Sequence, residues 1–86
     1  MRMRGHDIEV YDNPRYIDRY TVVVDGADVY AMSRDPLSPV GVNLYCGNLA
    51  DLNRSNFGQP VFWDALPERV RKAIELRLRD YEEVAS

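Results

Sequence analysis

"YIDRYTVVVDGADVYAMS", residues 16–33, is the stretch on which the fold turns. It is dense in β-branched and aromatic residues, which suit a pleated, half-buried surface. The even positions Tyr16, Asp18, Tyr20, Val22 and Val24 carry most of the apolar weight, while Ile17, Arg19, Thr21 and Val23 form a mixed face. Asp25-Gly26 is the strongest turn signal in the chain, because both residue types accept the positive φ that tight hairpins demand. "DVYAMS" then returns as a second strand. The pattern predicts an antiparallel β-hairpin over 16–33.

On the N-terminal side, residues 1–15 read as a loosely held segment. "IEVYDNP" (8–14) alternates over Ile8, Val10 and Asp12, enough for a short edge strand that Asn13-Pro14 ends. On the C-terminal side, residues 34–58 lose periodicity and form a long irregular loop. Pro36, Pro39, Gly41, Gly47 and Gly58 punctuate it, and Asn43, Asn48, Asn53 and Asn56 add turn chemistry. A single helical turn fits Val42–Cys46 or Leu49–Asn53. The loop keeps Leu37, Val40, Val42, Leu44 and Tyr45, so it is expected to act as a lid on the core, as a partner-facing loop, or as both. "QPVFW" (59–63) predicts a third short strand, placed at an edge by Pro60.

Residues 67–83 predict a helix. Pro67 suits a first helical position and Glu68 favours the first turn. Val70, Ala73, Ile74, Leu78, Tyr81 and Val84 recur at three- and four-residue steps, forming one core-facing stripe, with Leu66 packing on Val70 at the entry. The expected architecture is one α+β domain over 1–86: a three-stranded antiparallel sheet, a C-terminal helix packed on it, and the long loop.

Composition narrows the function. A hydrophobic fraction of 45% with 29% charged residues is that of a globular chain. No apolar run is long enough to span a bilayer, and polar His6-Asp7 stands where a secretion signal would place its apolar stretch. A cytoplasmic protein is expected. Cys46 is the only cysteine, read as a small buried or half-buried side chain, and His6 is the only histidine. One terminal imidazole cannot supply a zinc site or a nucleophile–base pair with ordinary ligands. The glycines are too scattered for a phosphate loop. Asp25 and Asp28 flank the turn as a weak magnesium pattern, and no catalytic, metal or cofactor residue is assigned.

Charge distribution points to a partner. Residues 7–64 hold nine acids against four arginines, a balance of −5, whereas 65–86 are neutral and the first six residues add two arginines. A general nucleic-acid binder needs the reverse, so direct nucleic-acid binding is disfavoured and a basic partner is favoured. Several of these acids are also ordinary turn residues. Six tyrosines add interface area with few rotors. The candidate partner-binding residues are Asp18, Asp25, Asp28, Asp35, Tyr11 and Tyr30.

"DRYTVVVDGADVYAMSRDPLSPVGVNLYCG" (18–47) followed by "LPERVRKAI" (66–74) resembles a family of short proteins encoded by phages and integrating mobile elements. The shared features are a DRYTVV-type strand, a YAMS strand, a P-x-S-P-x-G loop and a closing LP-xx-V-xx-AI helix. The resemblance covers most of the chain from residue 16 onward and carries no established chemistry, so it transfers no functional residue. It implies a non-enzymatic, monomeric inhibitor of the anti-CRISPR type, acting in the host bacterial cytoplasm. Its partner would be a host protein complex such as a type I CRISPR surveillance complex, with carboxylates imitating DNA phosphates. The alternative is a structural or regulatory interaction module of a mobile element, a homodimer through its edge strand.

Overall fold

A computed structural model describes residues 1–38 and 43–85. Pro39, Val40, Gly41 and Val42 of the apolar loop lie outside these residues, as does the side chain of Val84. The fold is α+β, an antiparallel sheet with one C-terminal helix. Among the described residues the sheet has six strands where three were expected: β1 (Arg2–Met3), β2 (His6–Asp12), β3 (Tyr20–Val24), β4 (Asp28–Met32), β5 (Asn43–Asn48) and β6 (Gln59–Pro60). Helix α1 spans Glu68–Ala85.

The predicted hairpin is β3–β4, starting at Tyr20 rather than Tyr16, with Tyr20 opposite Met32 and Val24 opposite Asp28. Asp25 (φ 55°) and Gly26 (φ 66°) both adopt the left-handed region, and the Ala27 N–H donates to the Val24 carbonyl at 3.0 Å. Tyr16 and Ile17 fall before the strand and are solvent-exposed.

The N-terminal segment is not loosely held. β2 lies inside the sheet, pairing with β3 from Ile8–Val24 to Asp12–Tyr20, and Ile8 and Val10 are core residues. Its other side is paired at both ends, by β1 at His6 and Asp7 and by β6 at Tyr11 and Asp12. β1 folds back through Arg4 (φ 53°) and Gly5 (φ 84°). Arginine rarely takes that backbone region, so the sequence carries no conventional turn signal there. Strand β6 does lie at an edge, but it covers two residues instead of five.

Both sheet faces are covered. On one, Ile8, Val10, Tyr20, Val22, Val24, Tyr30 and Met32 meet Leu66, Val70, Ala73, Ile74 and Leu78 of the helix and its approach. On the other, Val23 and Val29 pack with Phe57, flanked by Tyr11, Leu49 and Leu52. Val23 therefore belongs to a second small core rather than to a mixed surface. Residues 34–58 are only partly irregular: they contain β5 and two short 3-10 turns, Leu49–Asp51 and Arg54–Phe57. Asn48 and Asn53 cap those turns by accepting from the N–H groups of Ala50 and Ser55. Leu37 packs against the helix-side core as expected of a lid, Leu49, Leu52 and Phe57 close the second core, and Leu44 and Tyr45 remain exposed.

Candidate functional site

Asp28 opens β4 immediately after the hairpin turn, and its carboxylate holds two tyrosines. The Tyr45 hydroxyl of β5 donates to Oδ1 at 2.9 Å, and the Tyr81 hydroxyl of α1 donates to Oδ2 at 2.8 Å. Tyr30 stands opposite Tyr45 in register, with ring centroids 5.3 Å apart, and meets Tyr81 edge-on at 6.5 Å. The rings come together for local reasons. Asp28 and Tyr30 are two positions apart on one strand and so share a face. Tyr81 continues the apolar stripe of the helix beyond Leu78, where its body packs on the core and its hydroxyl finds an acceptor.

Between these groups lies an open hollow of about 320 Å³, lined by Asp28, Tyr30, Tyr45, Arg77, Asp80 and Tyr81. Arg77 precedes Tyr81 by one helical turn, and its guanidinium carbon sits 5.7 Å from the Tyr30 ring centroid. The hydrogen bond to Asp28, followed by desolvation and the charges of Asp28 and Asp25, pushes the Tyr81 phenol up to about 12. Tyr45 is raised chiefly by its own bond to Asp28, and Tyr30 chiefly by burial.

A second cluster buttresses the first. His6 packs edge-on against Tyr81 at 5.4 Å and donates from Nδ1 to Asp25 Oδ2 at 2.8 Å. Asp25 Oδ1 accepts from the Asp7 N–H at 2.9 Å, and these two bonds, the histidine's first, lower the Asp25 carboxyl. His6 Nε2 lies 3.5 Å from Glu82, which Arg4 grips with Nε and Nη2. The β1–β2 turn is thereby fastened to the end of the helix that carries Tyr81.

The candidate residues read from sequence divide. Asp25, Asp28 and Tyr30 gather at the turn end of the hairpin, where Tyr30 is 8% exposed and forms the floor of the hollow rather than a surface anchor. Asp18 and Asp35 lie near the opposite end of the β3–β4 pair, roughly 17 Å away for five extended residues. Asp35 is engaged by Arg69 at 2.8 Å, and the charge of Asp18 adds to desolvation in raising the Cys46 thiol. Tyr11 faces the second core, 5.6 Å from Phe57. Asp25 and Asp28 direct their carboxylates to different partners, and among the described residues no three His, Cys, Asp or Glu side chains gather as a metal site. Cys46 is exposed, against the expectation of a buried or half-buried thiol, because β5 has no further strand beside it among the described residues.

Carboxylates are not bare elsewhere either: Asp12 is held by Arg19 and Glu9 by Arg54, each at 2.6 Å. The far end of the hairpin has a wider groove of about 470 Å³ containing Arg15, Arg19 and Arg34, so the acidic balance of 7–64 does not make a uniform negative coat. Tyr45, Tyr81, Arg77 and Asp80 were missed as site residues. Tyr45 stood in an apparently irregular loop, and Tyr81 matched the core stripe, although a tyrosine in such a stripe always needs a partner for its hydroxyl. No protein family, curated protein or solved structure matches the chain.

Proposed function

We propose that this chain is a non-enzymatic binding protein that attaches to a basic, nucleic-acid-handling surface of a host protein complex. In keeping with its resemblance to short phage and mobile-element proteins, it would act there as an inhibitor of the anti-CRISPR type. The observation that carries the reading is Asp28, a carboxylate held by two tyrosine hydroxyls at the mouth of an aromatic hollow. Acid and tyrosine presented together suit a positively charged protein surface: charge steers the encounter, and the rings supply contact area. Recognition on this reading is concentrated at the turn end of the hairpin. A row of phosphate-like carboxylates along it is less favoured, because Asp35 and Asp25 already have cationic or imidazole partners.

The test is competition. A type I CRISPR surveillance complex is loaded with target DNA in the presence and absence of the chain, at low and high salt. Loss of DNA loading that weakens as salt rises is the expected result. Unchanged DNA loading at every salt concentration would remove the proposal for that complex.

A second reading, a self-associating module of a mobile element, is favoured by β5. Its outer edge pairs with no other strand among the described residues. "NLYCGN" (43–48) carries no charge in a chain where 29% of residues do, and it lacks the lysine or proline that usually blunts an edge. Two copies meeting antiparallel about a twofold would set residue i of one against residue j of the other and the reverse, and an uncharged strand brings no like charges together in any such register. Sedimentation across micromolar concentrations separates this module from a monomeric inhibitor.

A further inference from the structure

We infer that the hollow framed by Asp28, Tyr30, Tyr45, Arg77, Asp80 and Tyr81 is a receptor for one arginine side chain of a protein partner. This rests on the proposed function and names the group that it recognises. At about 320 Å³ the hollow has ample room for a guanidinium and part of its stem. Its walls are three tyrosine rings, whose faces attract cations.

The chain itself demonstrates the chemistry: Arg77 already rests its guanidinium against the Tyr30 face. Asp28 and Asp80 against Arg77 leave the lining one negative charge in excess, so a second cation is accommodated. Each Asp28 oxygen accepts one phenol hydrogen, and a carboxylate offers about four lone-pair sites, so one remains on each oxygen. Two parallel acceptors match the fork of a guanidinium, which also stacks flat on tyrosine. A lysine ammonium is a compact, strongly hydrated point charge and uses neither feature as well.

The experiment follows the tyrosine ring resonances of the full chain by NMR during titration with methylguanidinium chloride at constant ionic strength. Methylammonium and urea serve as parallel probes. Saturable shifts at Tyr45 and Tyr81 are expected, with methylguanidinium binding at least about threefold more tightly than either probe. Asp28→Asn and Tyr45→Ala each weaken it about tenfold, and Leu44→Ala, on the other sheet face, leaves it unchanged. The amide spectrum of each variant establishes folding. Should Asp28→Asn unfold the chain, Tyr45→Ala, at a position 58% exposed, carries the test.

Absence of saturable shifts, an equal response to urea, tighter binding of methylammonium, or undiminished affinity in Tyr45→Ala would each overturn the inference. An octa-arginine peptide separates it from the wider reading. Equal binding of that peptide to the wild type and to Tyr45→Ala leaves a basic partner standing and removes the hollow as its contact. No binding of octa-arginine to the wild type removes both.

Discussion

The Tyr81 hydroxyl reaches across 53 positions of chain to donate 2.8 Å to Asp28 Oδ2, tying the last turns of the helix to the first residue of β4. The bond requires a neutral phenol, so its pH dependence has a definite sign. An unfolded tyrosine loses its proton near pH ~10, whereas Tyr81 in the folded chain holds its proton to about 12. The stability linked to this group is fully present below pH ~10 and is lost as pH rises through 12. An absorbance titration of tyrosinate is expected to contain a step with a midpoint about 12. Tyr81→Phe removes that step, and Asp28→Asn moves it toward lower pH. A titration unchanged by Tyr81→Phe would refute the assignment.

Gly58 (φ 89°) turns the chain into β6 directly against β2, where a Cβ would overlap the Asp12 carbonyl. Gly58→Ala meets both a left-handed backbone and a backbone atom that cannot yield. A loss of about 2 kcal/mol or more is expected in urea unfolding. A loss below about 0.5 kcal/mol would mean that the approach of 57–60 to β2 is wrong.

Phe57 closes the second sheet face over Val23 and Val29. Phe57→Ala should cost about 3 kcal/mol, the scale of removing a buried aromatic ring. Leu44→Ala, at a site 47% exposed, should cost under about 1 kcal/mol. Equal costs would contradict the division of the 34–58 segment into lid and exposed strand.

Asp35 is compensated by Arg69, while Asp28 faces the hollow. Asp35→Asn should therefore change binding to octa-arginine by less than about twofold, against about tenfold for Asp28→Asn. A larger effect at Asp35 would favour a binding face extended along the hairpin.

Leu44→Lys places a charge on the open edge of β5. If the chain self-associates through that edge, the variant sediments as a monomer where the wild type does not. Identical sedimentation at ~100 µM leaves no role for β5 in self-association.

The hairpin and the helix were legible because each is specified by its own neighbours. Tyr20–Val24, Asp25-Gly26 and the stripe Val70, Ala73, Ile74 and Leu78 carry periodicity and turn chemistry within a few residues. β1 and β5 were not legible. One leads into an Arg4-Gly5 turn without a conventional signal, and the other is a short uncharged run, itself containing Gly47, that becomes a strand because β4 offers it an edge. The central placement of β2 likewise depends on pairing with β3, β1 and β6, which local pattern does not report.

For the site, the sequence by itself determined that acids and tyrosines are plentiful, that Asp28 and Tyr30 share a strand face, and that the helix has one apolar stripe. Only the tertiary structure decided which acids keep an open approach and which are compensated by arginine, and that Tyr45 and Tyr81 converge on Asp28. The reason is physical. Side-chain periodicity is a local property of the backbone, but a hydrogen bond between residues 28 and 81 exists only after the sheet and helix have packed.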